Sequence, residues 1–232
     1  MVCTERSFRI VRLLASGGLS SARDSVSPVT SSDDATPRQR LLATAADLFY
    51  REGINAVGVD RILQEAGVTR TTMYRHFDGK QGLVVAYLDA EDRTLRGYFA
   101  SAGAAGGTPR QLMGRVIDTI AADIEQYHTR GCPFINAAAE FPDPSSPVRV
   151  VVTAHRDWFR STLVELATAC GLADPASAGA ALVLLRDAAL VGGYLDGVEV
   201  TRPAFVAQAR RVVGLRSATG AETASSPEVL GP

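Results

Sequence analysis

Residues 65–80 read EAGVTRTTMYRHFDGK, and their side chains suit contact with a polyanion. Thr69, Thr71 and Thr72 surround Arg70, and Tyr74, Arg75, His76 and Lys80 follow within one further turn or two. Threonine is a mediocre helix former, so a short helix built this way is not chosen for helicity. Short hydroxyl side chains let a helix backbone come close to DNA. Their oxygens reach phosphates or base edges and their methyls touch thymine, while Arg70 reaches guanine or a phosphate. Over 69–80 three cations stand against Asp78 alone, so the basic patch is local. An ordinary exposed helix with a polar face is the plain alternative.

Other chemistry-bearing residues lie further along. Asn136 and Glu140 sit one helical turn apart on an otherwise apolar segment, as either an exposed pair or polar groups inside a pocket. His155 and Trp158 share a stripe of a long helix, as core or as the wall of a site for a mostly apolar ligand with one polar group. Cys132, between Gly131 and Pro133, is either a buried turn residue or a redox-sensing thiol. With His128 it has metal-ligand spacing, but glycine and proline break the helix that would align the pair, and no third ligand is evident. No nucleophile–base set, phosphate loop or metal cluster is expected, hence no catalytic residue, metal or cofactor.

The elements that must position these groups all read as helices, so the expected fold class is all-α. Thr36 and Pro37 open a helix that ends at Gly53. A second covers Val59 to Ala66, with Gly67 suited to a left-handed cap. A third runs from Arg70 to Phe77 with Thr69 as its N-cap, and a fourth from Lys80 to about Phe99. The small-residue stretch SAGAAGGT, 101–108, reads as a linker. Helices then begin at Pro109, within INAAAEF, at 148, at Pro175 and at Pro203. The 175–196 helix is apolar nearly all round, which implies burial on both faces, with Gly192 and Gly193 allowing close approach at an interface. Arg186 and Asp187 within it read as interface or intrachain ion-pair partners.

Helix, glycine turn, short helix is a helix-turn-helix, whose second helix enters a major groove with its N-terminal residues nearest the bases. AADLFYREGI, VDRILQEAGVTRTTMYRHF and DGKQGLV, in this order and spacing, resemble the DNA-binding domain of the TetR family of transcriptional regulators. The resemblance covers about 50 residues and departs at Gly58, where the family often carries Ser or Thr before the residue matching Val59. Gly58 can still cap but lacks a hydroxyl for phosphate. The resemblance implies DNA contacts from Gly58, Val59, Thr69, Arg70, Thr71, Thr72, Tyr74, Arg75, His76 and Lys80. It also implies a helical effector-binding and dimerisation domain whose last two long helices pair in a four-helix bundle. Gly131, Cys132, Pro133, Asn136, Glu140, His155 and Trp158 resemble a subset of the same family, without fixing the effector.

The bulk numbers agree. The chain has 232 residues, 46% hydrophobic, with a formal net charge of -1, enough for a sizeable core and too balanced for a wholly basic coat. Three cysteines far apart suit reduced thiols in the cytoplasm. Continuous apolar runs fall short of the roughly 20 residues of a membrane span. The expected organisation is a polar tail or misassigned start over 1–36, the DNA-binding domain over 37–97, the effector and dimerisation domain over 98–216, and a tail over 217–232. The expected function is a ligand-responsive regulator, a repressor that a small-molecule effector releases from double-stranded operator DNA, acting as a cytoplasmic homodimer with no membrane partner. The alternatives are a DNA-binding regulator that senses redox state through Cys132, a helical small-molecule carrier or enzyme, and an architectural DNA binder. The last has little use for a large apolar second domain.

Overall fold

In the computed structural model, residues 35–126 and 129–215 are described. The expected tails fall almost wholly outside this range, as does His128. Among the described residues the secondary structure is helix without strand. The helices are α1 (Pro37–Glu52), α2 (Val59–Ala66), α3 (Arg70–His76), α4 (Gly79–Ala104), α5 (Pro109–Gln126), α6 (Pro133–Glu140), α7 (Pro147–Ala169), α8 (Pro175–Leu195) and α9 (Val198–Val212).

Helices α1 to α3 and the start of α4 form a head. Leu41, Ala45 and Leu48 of α1 meet Ile62, Met73 and Leu83, all inaccessible to solvent. A reciprocal capping box starts α1: the Thr36 hydroxyl accepts from the Gln39 N–H, and the Gln39 side chain accepts from the Thr36 N–H. Gly67, at φ 61°, closes α2 in the left-handed conformation, and its N–H donates back to the Gln64 and Leu63 carbonyls. That conformation, strained for other residues, lets the chain turn sharply into α3.

Helices α5 to α9 form a body, with α8 packed between α7 and α9 and α9 resting on α5. Gly179 sets the α7–α8 approach: a Cβ there would lie 2.5 Å from Val164 Cγ2 and 3.1 Å from Val164 N. Gly192 and Gly193 also serve contacts inside one chain. A Cβ on Gly192 would lie 3.3 Å from Thr201 Cγ2 of α9, and one on Gly193 3.2 Å from Ile124 Cγ2 of α5.

Two boundaries differ from the sequence reading. Helix α4 continues through residues 101–104 and crosses the expected division at 97/98, because alanine and serine sustain a helix that a composition rule reads as linker. Helix α9 starts at Val198, five residues before Pro203, with Gly197 as N-cap at φ 93°. Pro203 lies inside the helix, close enough to its start to be tolerated. Helix α8 is long and apolar enough to cross a membrane by length and composition. It nevertheless carries Arg186 and Asp187 and packs on α7, α9 and α5.

Candidate nucleic-acid interface

Helix α3 is seven residues long, too short to stand alone, and its inner side is held by Met73, which is fully buried, and by Phe77 just beyond it. Thr69 caps its N-terminus, its hydroxyl accepting from the Thr72 N–H at 3.2 Å and lying 2.9 Å from the Thr72 hydroxyl. Two of the three threonines thus organise the helix start, and Thr71 is left facing solvent. Tyr74 (58% exposed), Arg75 and His76 also project outward. Arg38 lies over the Phe77 ring, 5.2 Å from its centroid, adding a cation beside the same surface.

Arg70 is held rather than loose. Its guanidinium pairs with Asp60 on α2, both side chains being well exposed. An exposed pair of this kind contributes little stability, so DNA can displace it at small cost. Gly58 caps α2 through its backbone alone and has open space beside it, and Val59 is half-buried. Lys80, at the start of α4, is partly buried. Burial pulls its ammonium pKa down, and the nearby charge of Glu140 opposes that shift. It therefore sits closer to the head–body seam than a purely phosphate-facing lysine.

The four pocket candidates fall into two separate groups. Asn136 and Glu140 line a small crevice with Tyr50, Ile54 and Tyr87 at the seam. Asn136 donates to the Arg130 carbonyl at 3.1 Å, and the Glu140 carboxylate accepts from the Ile54 and Asn55 N–H groups. His155 and Trp158 belong instead to an aromatic cluster. The His155 ring stacks on Phe134 with centroids 3.6 Å apart, and Trp158 meets Phe99 edge-on at 5.5 Å. Arg96 covers the Trp158 ring at 4.2 Å.

His155 is 1% exposed, and its Nδ1 lies 2.7 Å from Asp92 on α4. Burial drives its pKa down to about 4, against the raising effect of Asp92, so it is neutral at physiological pH. Its Nε2 has no hydrogen-bond partner among the described residues. Close by, the buried Arg186 donates to Cys132 Sγ at 3.6 Å and lies over Phe159. Asp187 pairs with Arg156 of α7 at 2.7 Å, so these α8 charges are intrachain partners. Cys132 is itself buried, which denies a redox reagent direct access. The described residues contain no group of three potential metal ligands.

Sequence reasoning missed Asp60, Asp92, Tyr50 and the backbone N–H groups of 54 and 55. Of these only Asp60, ten residues before Arg70, carried a local signal.

Comparison with known proteins matches these features. Residues 41–87 match the family model for bacterial regulatory proteins of the tetR family, a span running from α1 through the helix-turn-helix into α4. The SrpR transcriptional regulator of Pseudomonas putida is 33% identical over 66 residues, 28% of this chain and 31% of that protein. The transcriptional activator FasR of Mycolicibacterium smegmatis is 39% identical over 51 residues, 22% of this chain and 23% of that one. The chain thus spans less than a third of the length of either curated relative. The crystal structure of SCO4454, a TetR-family transcriptional regulator from Streptomyces coelicolor, is similar over far more. It is 43% identical, with a TM-score of 0.74, covering 77% of this chain and 94% of that one. With the helix-turn-helix, its exposed cationic helix and the helical body behind it, these matches identify the chain as a member of the TetR family of DNA-binding transcriptional regulators.

Proposed function

We propose that the chain is a ligand-responsive repressor, acting in the cytoplasm as a homodimer that a small-molecule effector releases from operator DNA. The observation that carries this reading is the division of labour between an outward-facing α3 and a body with its own aromatic core. In it the head occupies 37–97 and the effector and dimerisation domain 98–216. Thr71, Tyr74, Arg75 and His76 face the groove or its phosphates directly. Arg70 joins them on leaving Asp60, Gly58 and Val59 bring the α2 start to the backbone, and Lys80 approaches a phosphate from the seam. Thr69 and Thr72 shape the helix end that enters.

The homodimer reading is supported by α8, where Leu184, Val191 and Leu195 form a stripe that is 68%, 40% and 69% exposed in a single chain. Spacings of seven and four residues, two turns and one, place them on one face, and an apolar face of this kind suits a bundle partner. The effector reading is supported by His155, a buried neutral imidazole with an unpartnered nitrogen amid aromatic rings. That chemistry suits a mostly apolar ligand with one polar group, held by His155 and Trp158. Asn136 and Glu140, expected to share that site, line a separate crevice at the seam and are not part of it.

The test is a gel shift with DNA from upstream of the chain's own gene at stated salt, repeated with metabolite mixtures while Trp158 fluorescence is recorded. The reading expects a shifted band, its loss with an active mixture, and a change at Trp158 over the same concentration range, since binding and release are linked. DNA release without any change at Trp158 places the effector elsewhere, and no shifted band removes the repressor reading.

A further inference from the structure

The head is fastened to the body twice. One joint is covalent, through α4. The other is a clasp between residues 130–140 and the end of α1. Glu140, the last residue of α6, accepts the Ile54 N–H on Oε1 at 2.8 Å and the Asn55 N–H on Oε2 at 2.5 Å. Its own carbonyl accepts from Asn55 Nδ2 at 3.4 Å. Further along the seam the Tyr50 hydroxyl accepts from Arg130 N at 2.8 Å and donates to the Gly131 carbonyl at 3.1 Å.

Two neighbouring N–H groups need two acceptors side by side, which a carboxylate provides. A glutamine in its place would turn an NH2 towards one of the donors. The turn is shaped for this arrangement: Gly53 holds φ 98°, and a Cβ there would lie 3.5 Å from Glu140 Oε1. At its other end the same short segment touches the body. Phe134 stacks on His155 of α7, and Cys132 accepts from Arg186 of α8.

We propose that Glu140 is a positioning residue for DNA binding. By tying the α1–α2 turn to α6 it fixes the angle at which the head is presented, and in a dimer the separation of the two α3 helices. This rests on the reading of α3 as the DNA-reading helix of a homodimer. Losing the clasp leaves α4 as the joint, so the head samples several angles and only a fraction of dimers match a given half-site spacing. Apparent affinity for that spacing falls by the same fraction. A single half-site does not sense the angle and keeps its affinity.

The experiment uses the full chain as wild type, Glu140→Gln and Tyr50→Phe. The probes are a duplex that wild-type protein recovers from a random-sequence pool, its isolated half-site, and versions with base pairs inserted or removed between the half-sites. Glu140→Gln is expected to lose about tenfold in affinity for the recovered spacing and to discriminate poorly between spacings. Its half-site affinity, salt slope, dimer mass and helical circular dichroism should match wild type. Tyr50→Phe, which removes one hydroxyl from the same seam, broadens spacing preference in the same direction by a smaller factor. It also decides the matter if Glu140→Gln does not fold. Wild-type spacing preference and affinity in both variants overturn the proposal. A fall in half-site affinity that tracks a fall in melting temperature also overturns it, because Glu140 would then only hold the fold. Recovery of no duplex by the wild-type chain defeats the DNA reading beneath it, a result that no variant enters.

Discussion

In the head, Thr71, Tyr74, Arg75 and His76 stand in solvent on a helix whose inner side is apolar Met73. In the body the separation is incomplete, although most of its core is apolar. His155, Arg186 and Asp123 are buried, while Leu184, Tyr194, Leu195 and Val200 lie outside. A surface that meets a charged polymer keeps its polar groups hydrated until the polymer arrives, so they cost the fold little. Buried polar groups must find partners inside the protein, or they cost stability. The head therefore separates function from stability, and the body mixes them.

The sharpest way to break this contrast is to remove one charge from each region. Arg186→Ala is expected to lower stability by about 3–5 kcal/mol, because it strips a buried network of its cation. Arg75→Ala should leave stability within about 0.5 kcal/mol. Urea unfolding of both variants measures this, and a body that tolerates Arg186→Ala would erase the distinction.

The pH dependence of folding sharpens it next. His155 has a pKa of about 4 in the folded chain against the ordinary imidazole value of 6.5. Between these values the unfolded chain takes up the proton and the folded chain does not. This contribution to stability is intact above about pH 6.5 and is lost as pH falls towards about 4, at roughly 1.4 kcal/mol per unit. His155→Gln should flatten that part of the stability profile in chemical denaturation at stepped pH. An unchanged slope would mean that other groups set it.

Operator binding probes the head by itself. Arg70→Ala and Thr72→Ala should each weaken sequence-specific binding by about 1–3 kcal/mol if they support base contacts, with helical signal and dimer mass unchanged. Wild-type binding by both variants would take α3 out of the interface. The smallest effect is expected at Gly58, where nothing lies within 4 Å of an added Cβ and φ is -78°. Gly58→Thr should stabilise by a few tenths of a kcal/mol through a side-chain cap and add a hydroxyl within reach of phosphate. A melting shift and a titration against nonspecific duplex measure the two gains.

The same contrast explains what could be read from the sequence. The α2 limits, the Gly67 cap and the Thr69 N-cap were legible because each depends on residues within one or two turns. The outward set on α3 follows from helical spacing around Met73 and Phe77. The roles of Glu140 and His155 were not legible, because their partners lie 86 and 63 residues away. A polar pair one turn apart, such as Asn136 and Glu140, looks the same from the sequence whether it lines a pocket or fastens two regions together. Pro203 misled for a related reason: proline favours a helix start, but Gly197 placed the start earlier.

Helix α4 has 26 residues and so extends about 39 Å. It runs unbroken from the head into the body, where His155 holds Asp92 along its length. Such a rod magnifies small tilts. Swinging it by about 5° about its far end carries its tip through about 3.4 Å, the rise of one base pair. Asp92 lies about halfway along the rod, so a shift at its contact with His155 reaches the tip roughly doubled.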